Sequence, residues 1–266
     1  MTLLEAVVLG LVQGLTEFLP VSSTAHLRIV PALFHWGDPG AAFTAVLQLG
    51  TLLAVIGFFL RDLLSMLGAV LDPARRRGPE ARRLLYMIVG TIPIAVAGVL
   101  LRHAIEGPLR SLAVIASMLI VVGLLMAVVE RVARHSRGLD DLTMRDAIII
   151  GLAQTLALIP GVSRSGITLV AAMAVGLRRD AAARFSFLLS VPAVAGAAVF
   201  ELPKLMRTPG LAGTPLFVAL AVAAVSGYLS IAWMLRYLRT RTTFGFVVYR
   251  VALGAALLIL LASGRL

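Results

Sequence analysis

The sequence contains no cysteine, and only 13 of its 266 residues are acidic. The absence of cysteine excludes a small secreted domain held together by disulfides. Charged residues make up 14% of the chain, whereas a soluble domain has about 25%. The hydrophobic share of 60% excludes intrinsic disorder, which requires low hydrophobicity. A water-soluble fold of this composition would expose apolar surface that it could not cover, so the sequence indicates an integral membrane protein.

Six apolar stretches are long enough to cross a bilayer as helices, which takes about 20 residues each. They are residues 41–60, 84–101, 111–129, 185–203, 214–235 and 244–263. Two further apolar segments, 3–34 and 147–176, are interrupted by proline followed by polar residues. Because irregular backbone is not tolerated where it faces lipid, we predict two re-entrant helix–loop–helix hairpins with tips buried in protein or lining a wet cavity. Two kinked full spans are the alternative.

The net charge of +11 is concentrated in four arginine clusters, at residues 61–83, 131–145, 178–184 and 236–241. With six spans these clusters all fall on one side, which the positive-inside bias identifies as cytoplasmic. The opposite loops carry few basic residues, for example Arg110. A nucleic-acid-binding protein would show one continuous basic patch, so nucleic acid is not an expected partner.

The two broken segments are related by an internal repeat. Residues 10–24 read GLVQGLTEFLPVSST, and residues 151–165 read GLAQTLALIPGVSRS. Each copy is followed by three spans, and an odd number of spans inverts the second copy relative to the first. We therefore predict one all-α membrane domain over 1–266, built from inverted repeats at 1–135 and 140–266. Binding sites in such folds lie where the broken elements meet near mid-membrane.

The first break carries groups suited to nucleophile activation. Gln13 and Glu17 are four residues apart and share a helix face. A glutamate inside an apolar segment is energetically costly, so we take Glu17 as a candidate functional residue. Ser22 and Ser23 can cap the following helix, and His26 follows Ser23 by three. Serine, histidine and glutamate together can activate a nucleophile and transfer protons.

The second break is typical of a phosphate site. Gly161 allows the backbone to come close to a ligand, and a helix begins after the break with amide groups that attract anions. The guanidinium fork of Arg164 matches phosphate oxygens. Hydroxyl donors are added by Ser163, Ser165 and Thr168. We predict a phosphate cradle that faces the first break if the repeats pack tip to tip.

Two polar residues within the spans are further candidates. Gln48 lies in the first span and is expected to line the cavity. Arg250 lies in the last span, where it could contact substrate charge or make a structural pairing. The sequence leaves both roles of Arg250 open.

The segments GLVQGLTEFLPVSSTAHL and PGVSRSGITL resemble the two signature motifs of the bacterial undecaprenyl-diphosphate phosphatases, the bacitracin-resistance family. The resemblance covers the whole chain in length, span order and motif placement. It implies an inner-membrane hydrolase that removes the terminal phosphate of undecaprenyl diphosphate on the periplasmic side. This reaction recycles the lipid carrier for cell-wall synthesis and confers bacitracin resistance.

The resemblance also implies site residues. The family's acidic motif falls on Gln13 and Glu17, its serines on Ser22 and Ser23, its histidine on His26, and its arginine on Arg164 between Ser163 and Ser165. Glutamine at position 13, where many members have glutamate, puts in doubt a mechanism that needs two carboxylates on a metal.

Three mechanisms stay open at this point. Ser23 is the first choice of nucleophile, with His26 or Glu17 as base; alternatively His26 attacks while Glu17 orients it. In the third version Glu17 holds a divalent ion such as Mg²⁺ against the phosphates. A lipid-phosphate transporter or flippase with the same cavity is the alternative function. The expected partners are a polyprenyl diphosphate and membrane lipid, while a homodimer and the preferred lipid chain length stay open.

Overall fold

The structure, a computed structural model, describes residues 1–38, 40–101, 103, 105, 108–206 and 213–264. Eleven α-helices form in these ranges. They are α1 (Leu3–Glu17), α2 (Ser23–Leu33), α3 (Gly40–Phe58), α4 (Leu60–Leu71), α5 (Pro79–Leu100), α6 (Leu112–Val132), α7 (Met144–Gln154), α8 (Arg164–Ala174), α9 (Arg179–Met206), α10 (Thr214–Leu238) and α11 (Phe244–Ala262). The predicted all-helical polytopic membrane fold is confirmed.

Five helices, α5, α6, α9, α10 and α11, are each long and apolar enough to cross a membrane. The first predicted span, 41–60, corresponds to α3 in a bent pair of helices, because α3 ends at Phe58 and α4 turns away from it by 72°. The helix α4 was not predicted, since residues 61–83 lie between the first two predicted spans. Its apolar side chains Leu60, Leu64 and Leu67 are about half exposed on the bundle surface.

Both broken segments consist of two short helices around the predicted breaks. The first arms, α1 and α7, begin in the same way, because Thr2 and Thr143 each form a capping box with the acidic residue three positions later. Such a box satisfies amide groups that the first turn of a helix leaves without partners. How the two broken segments sit relative to the bilayer stays a prediction.

The packing of the two first arms follows the internal repeat. Helix α1 packs on α10, and α7 packs on α5, so each arm contacts the second span of the other repeat. Matched glycines allow this approach: a Cβ at Gly10 would lie 2.6 Å from the Ala219 oxygen, and one at Gly151 would lie 2.5 Å from the Gly90 oxygen. This correspondence supports the predicted inverted repeat.

Ion pairs connect the arginine-rich segments at one end of the bundle. Arg83 pairs with Asp140, and Arg184 pairs with Asp62 at 2.6 Å. Glu130 accepts hydrogen bonds from Arg179 and from the Thr243 hydroxyl at 2.8 Å, next to the fourth cluster. These contacts bring the four clusters together, as the six-span arrangement predicts.

Candidate active site

The two breaks meet inside the bundle. A terminal nitrogen of Arg164, at the start of α8, donates to Glu17 Oε1 at the end of α1 over 2.7 Å. The Ser165 hydroxyl donates to the carbonyl oxygens of Glu17 and Leu19, at 2.8 and 3.1 Å. The predicted tip-to-tip arrangement is therefore present in the structure, and residues of both repeats form it.

Glu17 is the centre of this contact and is only 4% exposed. Its second oxygen, Oε2, accepts hydrogen bonds from the Ser23 hydroxyl at 2.6 Å and from the Gln13 amide at 2.9 Å. A buried carboxylate is tolerated when its lone pairs are satisfied in this way. The Ser23 hydroxyl therefore donates its hydrogen to a carboxylate oxygen, which is the arrangement that proton transfer to a general base requires.

The residues that turn the chain into α2 and α8 adopt the same unusual backbone conformation. Ser22 has φ 74° and Ser163 has φ 73°, in the left-handed region that residues other than glycine rarely occupy. Each serine hydroxyl also accepts an amide hydrogen of its helix, from Ala25 and Gly166 respectively. Such outliers cost about 1–3 kcal/mol each and cluster at functional sites. The residue that follows each of them, Ser23 or Arg164, binds the Glu17 carboxylate.

His26 does not contact Ser23 or Glu17 through a hydrogen bond. Its Nδ1 lies 2.7 Å from the Ser22 carbonyl oxygen, and its Nε2 lies 2.6 Å from the Tyr249 hydroxyl. Because a carbonyl can only accept, Nδ1 carries the hydrogen, and a neutral ring then accepts the Tyr249 proton at Nε2. Both ring nitrogens are thus engaged away from Ser23, and of the two predicted bases only Glu17 is hydrogen-bonded to the Ser23 hydroxyl.

Arg250 is fully buried, and its hydrogen bonds go to backbone carbonyl oxygens. Its guanidinium donates to the carbonyl oxygens of Pro20, Met118, Leu119, Gly161 and Val162. It therefore ties the backbones of both tips to α6. Of the two roles that the sequence left open, the structural pairing is the one observed.

Several predicted ligand-binding groups are occupied by contacts within the protein. The Gly161 carbonyl is bound by Arg250, and a Cβ at this position would lie 2.5 Å from the Ile115 oxygen. The Thr168 hydroxyl contacts Ser186 at 2.5 Å, and Ser165 holds the first tip. Like Gln13 and Ser22, these residues make contacts within the protein and are not among those that line the cavity of the site.

A cavity of about 210 Å³ opens beside the cluster. It is lined by five predicted residues, Glu17, Ser23, Gln48, Ser163 and Arg164. Sequence reasoning missed four more polar side chains, Thr24, Arg28, Thr44 and Arg110. Thr24 and Arg28 are four residues apart on α2 and share a helix face, a spacing that could have indicated them. No local sequence pattern indicates Arg110 as a cavity residue, because it lies far in sequence from both breaks.

An apolar groove adjoins this cavity. It has a volume of about 350 Å³ and shares Ala45, Ile94, Ile105 and Leu158 with the polar cavity. Its other walls come from α5 and α9, including Val99, Pro192 and Gly196. A polar chamber that continues into an apolar groove fits an amphiphile with a charged head and a hydrocarbon chain.

The residues around Glu17 do not by themselves form a metal site. Both carboxylate oxygens already accept hydrogen bonds, from Arg164 on one side and from Gln13 and Ser23 on the other. Among the residues whose positions are described, no three His, Asp or Glu side chains are grouped as metal ligands. The Mg²⁺ hypothesis for Glu17 stays a prediction, which an assay of phosphate release without metal can test.

The fold and the site define a polytopic helical membrane protein with a buried Glu–Ser–Arg cluster between two broken helices. Residues 6–256 match the family described as Bacitracin resistance protein BacA. The chain is similar to proteins named undecaprenyl-diphosphatase from Myxococcus xanthus, at 54% identity over 100% of this chain and 91% of that protein, and from Nocardioides sp., at 52% over 98% and 97%. A third, from Synechococcus elongatus, is 49% identical over 98% and 94%. The chain belongs to the bacitracin resistance protein BacA family, which confirms the resemblance seen in its motifs.

Proposed function

We propose that this protein is an undecaprenyl-diphosphate phosphatase, which releases the terminal phosphate of the lipid diphosphate and regenerates the monophosphate carrier. The observation that carries the proposal is the Glu17 carboxylate, which binds the Ser23 hydroxyl at 2.6 Å and Arg164 at 2.7 Å. A nucleophile, its base and a phosphate-binding cation thus share one cavity. Relatives of nearly the same length carry the name of this activity.

The adjoining groove supports a lipid substrate. The diphosphate would occupy the polar cavity, and the polyprenyl chain would leave through the apolar walls between α5 and α9. Burial of hydrocarbon contributes about 0.8 kcal/mol per CH₂ group, so the groove supplies binding energy that a free diphosphate could not use. This arrangement predicts a preference for lipid over soluble diphosphates.

In the first chemical step Ser23 Oγ attacks the terminal phosphorus while its proton passes to Glu17 Oε2. The bond between that phosphorus and the bridging oxygen breaks, so the lipid monophosphate leaves and a phosphoserine forms. Arg164 stabilises the charge on the equatorial oxygens, as phosphoryl transfer mainly requires. Transfer of the Glu17 proton to the leaving oxygen completes the balance.

In the second step water attacks the phosphoserine. Glu17, again ionised, takes the water proton, and the P–Oγ bond breaks to release inorganic phosphate. The proton returns to Ser23 Oγ, which restores the hydrogen bond to Glu17. His26 acts as a positioning residue, because it holds the Ser22 carbonyl and thereby the strained turn before Ser23.

The site opens on the side opposite the arginine-rich end. Arg110, which lines the cavity, lies between α5 and α6 on the side opposite the four clusters. We assign the clusters to the cytoplasm by the positive-inside bias and the cavity to the periplasmic face of the bacterial inner membrane. The product is then released on the side where wall polymers are assembled.

The test is phosphate release from undecaprenyl diphosphate by the purified protein in detergent or lipid. Glu17→Gln removes the base and should lower the rate by about 10²- to 10⁴-fold. Arg164→Lys keeps the charge but loses the fork, and should cost about 10²- to 10³-fold.

The matched control is Arg239→Lys, at an exposed position of the arginine-rich end. Its rate should equal that of the wild type. Lipid movement without phosphate release, or full rates in both site variants, would contradict the proposal.

A further inference from the structure

The outer end of the polar cavity carries an arrangement that the two-step reaction does not use. Arg28 on α2 and Arg110 before α6 both line the cavity. The Arg110 guanidinium contacts Asp38 at 3.1 Å, and Arg28 lies 3.5 Å from the same carboxylate. Two cations from distant parts of the chain therefore share a single anion at this end.

The charges of the cavity are unevenly distributed. At its inner end Arg164 is neutralised by Glu17, whereas the outer end has two arginines and one aspartate. All three outer side chains remain between 19% and 32% exposed, so a ligand can reach them. A lipid diphosphate carries negative charge on both phosphates, and only one of the two can lie against Ser23 and Arg164.

Arg28 and Ser23 lie on the same helix and line the same cavity. Arg28 comes five residues after Ser23 on α2, an axial separation of about 7.5 Å. The Arg28 guanidinium now pairs with Asp38, so a ligand phosphate at this position would have to displace that carboxylate. Arginine forks bind phosphate oxygens in a bidentate manner.

We infer that Arg28 and Arg110 form a second phosphate subsite, which binds the phosphate attached to the lipid, and that Asp38 competes with this phosphate for the two arginines. The inference rests on the proposed function for the identity of the ligand. In it, Arg164 selects the phosphate that is cleaved, and the outer pair selects the phosphate that is retained.

A purely structural role for the three residues gives opposite expectations. If Asp38 only fastens the segment before α3 to that before α6, its loss should loosen the site and weaken binding. If it competes with the ligand, its loss should strengthen binding. Asp38→Asn is a suitable probe because the amide oxygen can still accept the Gly40 amide hydrogen that Asp38 now accepts at 3.0 Å.

The experiment measures dissociation constants of farnesyl monophosphate and of inorganic phosphate for the full-length protein in detergent, by calorimetry. Arg28→Gln and Arg110→Gln should each weaken farnesyl monophosphate binding about tenfold, the value of one charge-assisted hydrogen bond. They should leave the affinity for inorganic phosphate within about twofold. Arg164→Gln should weaken the binding of inorganic phosphate and leave that of farnesyl monophosphate within about twofold. Arg239→Gln should change neither dissociation constant.

Asp38→Asn should tighten farnesyl monophosphate binding severalfold. The inference is wrong if Asp38→Asn weakens that binding, or if the outer arginine variants alter the two ligands equally or not at all. Binding is measured without turnover, so the outcome is separate from that of the proposed function. A protein with the expected binding pattern but no phosphate release would retain the subsite and lose the proposed activity.

Discussion

Replacement of Arg250 by lysine tests how the two tips are held together. The guanidinium is fully buried and donates to five carbonyl oxygens, three of which belong to the breaks themselves. Lysine keeps the positive charge but has three donors on a single nitrogen. At least two of the five carbonyls must therefore lose their partner.

The expected loss follows from these contacts. A buried polar group left without its partner costs about 1–3 kcal/mol, so Arg250→Lys should destabilise the protein by about 2–6 kcal/mol. For a chain of this size 1 kcal/mol corresponds to about 2–4 °C in Tm, and a fall of about 5 °C or more is expected. Phosphate release should fall with it, because Ser23 and Arg164 lose their relative positions.

The assay pairs thermal unfolding in detergent with phosphate release for Arg250→Lys and Arg164→Lys. Arg250→Lys should lower both stability and rate, whereas Arg164→Lys should lower the rate alone. A stable but inactive Arg250→Lys variant would refute the reasoning, since it would show that Arg250 acts on substrate and not on the backbone.

Three further predictions concern other parts of the structure. His26→Gln should lower kcat by about 2- to 13-fold, the value of one neutral hydrogen bond, and a loss as large as that of Ser23→Ala would contradict its positioning role. Ser23→Cys introduces the single thiol of the chain, and an impermeant reagent should label it from the periplasmic side; labelling from the cytoplasm alone would reverse the orientation. Burial raises the pKa of Asp146, but hydrogen bonds from Arg137 and Thr143 hold this pKa below its ordinary value. The contribution of the ionised Asp146 to stability is therefore complete above about pH 4, and it is lost as the pH falls through the lowered pKa. Asp146→Asn should lower Tm at pH 7, and its Tm should decrease less than that of the wild type when the pH is lowered. An unchanged Tm at pH 7 would rule out this contribution.

The sequence predicted those parts of the fold that depend on apolar length and on local breaks. Pro20 and Pro160 interrupt apolar segments, and the chain leaves the helix near both. The bend after Phe58 was missed because Arg61 and Asp62 resemble the start of a solvated loop. In the structure Asp62 is bound by Arg184, a partner that only the folded bundle provides.

The site was predictable where residues lie close in sequence or in matching repeats. Glu17, Ser23 and Arg164 were found because each stands beside a break, and the structure brings them together. The partner of His26 could not be inferred, because Tyr249 is 223 positions away. The same holds for Arg110 and Asp38, whose contact depends on how segments distant in sequence pack.

The central claim is that Ser23, activated by Glu17, attacks the phosphate bound by Arg164. It is tested most directly by quenching the purified protein with a denaturing detergent at neutral pH, which preserves both phosphoserine and phosphohistidine, during turnover of undecaprenyl diphosphate, followed by peptide mass spectrometry. The account predicts phosphate on Ser23, and none on that peptide in Glu17→Gln. Phosphate on His26 would contradict it, as would turnover at the wild-type rate by Ser23→Ala.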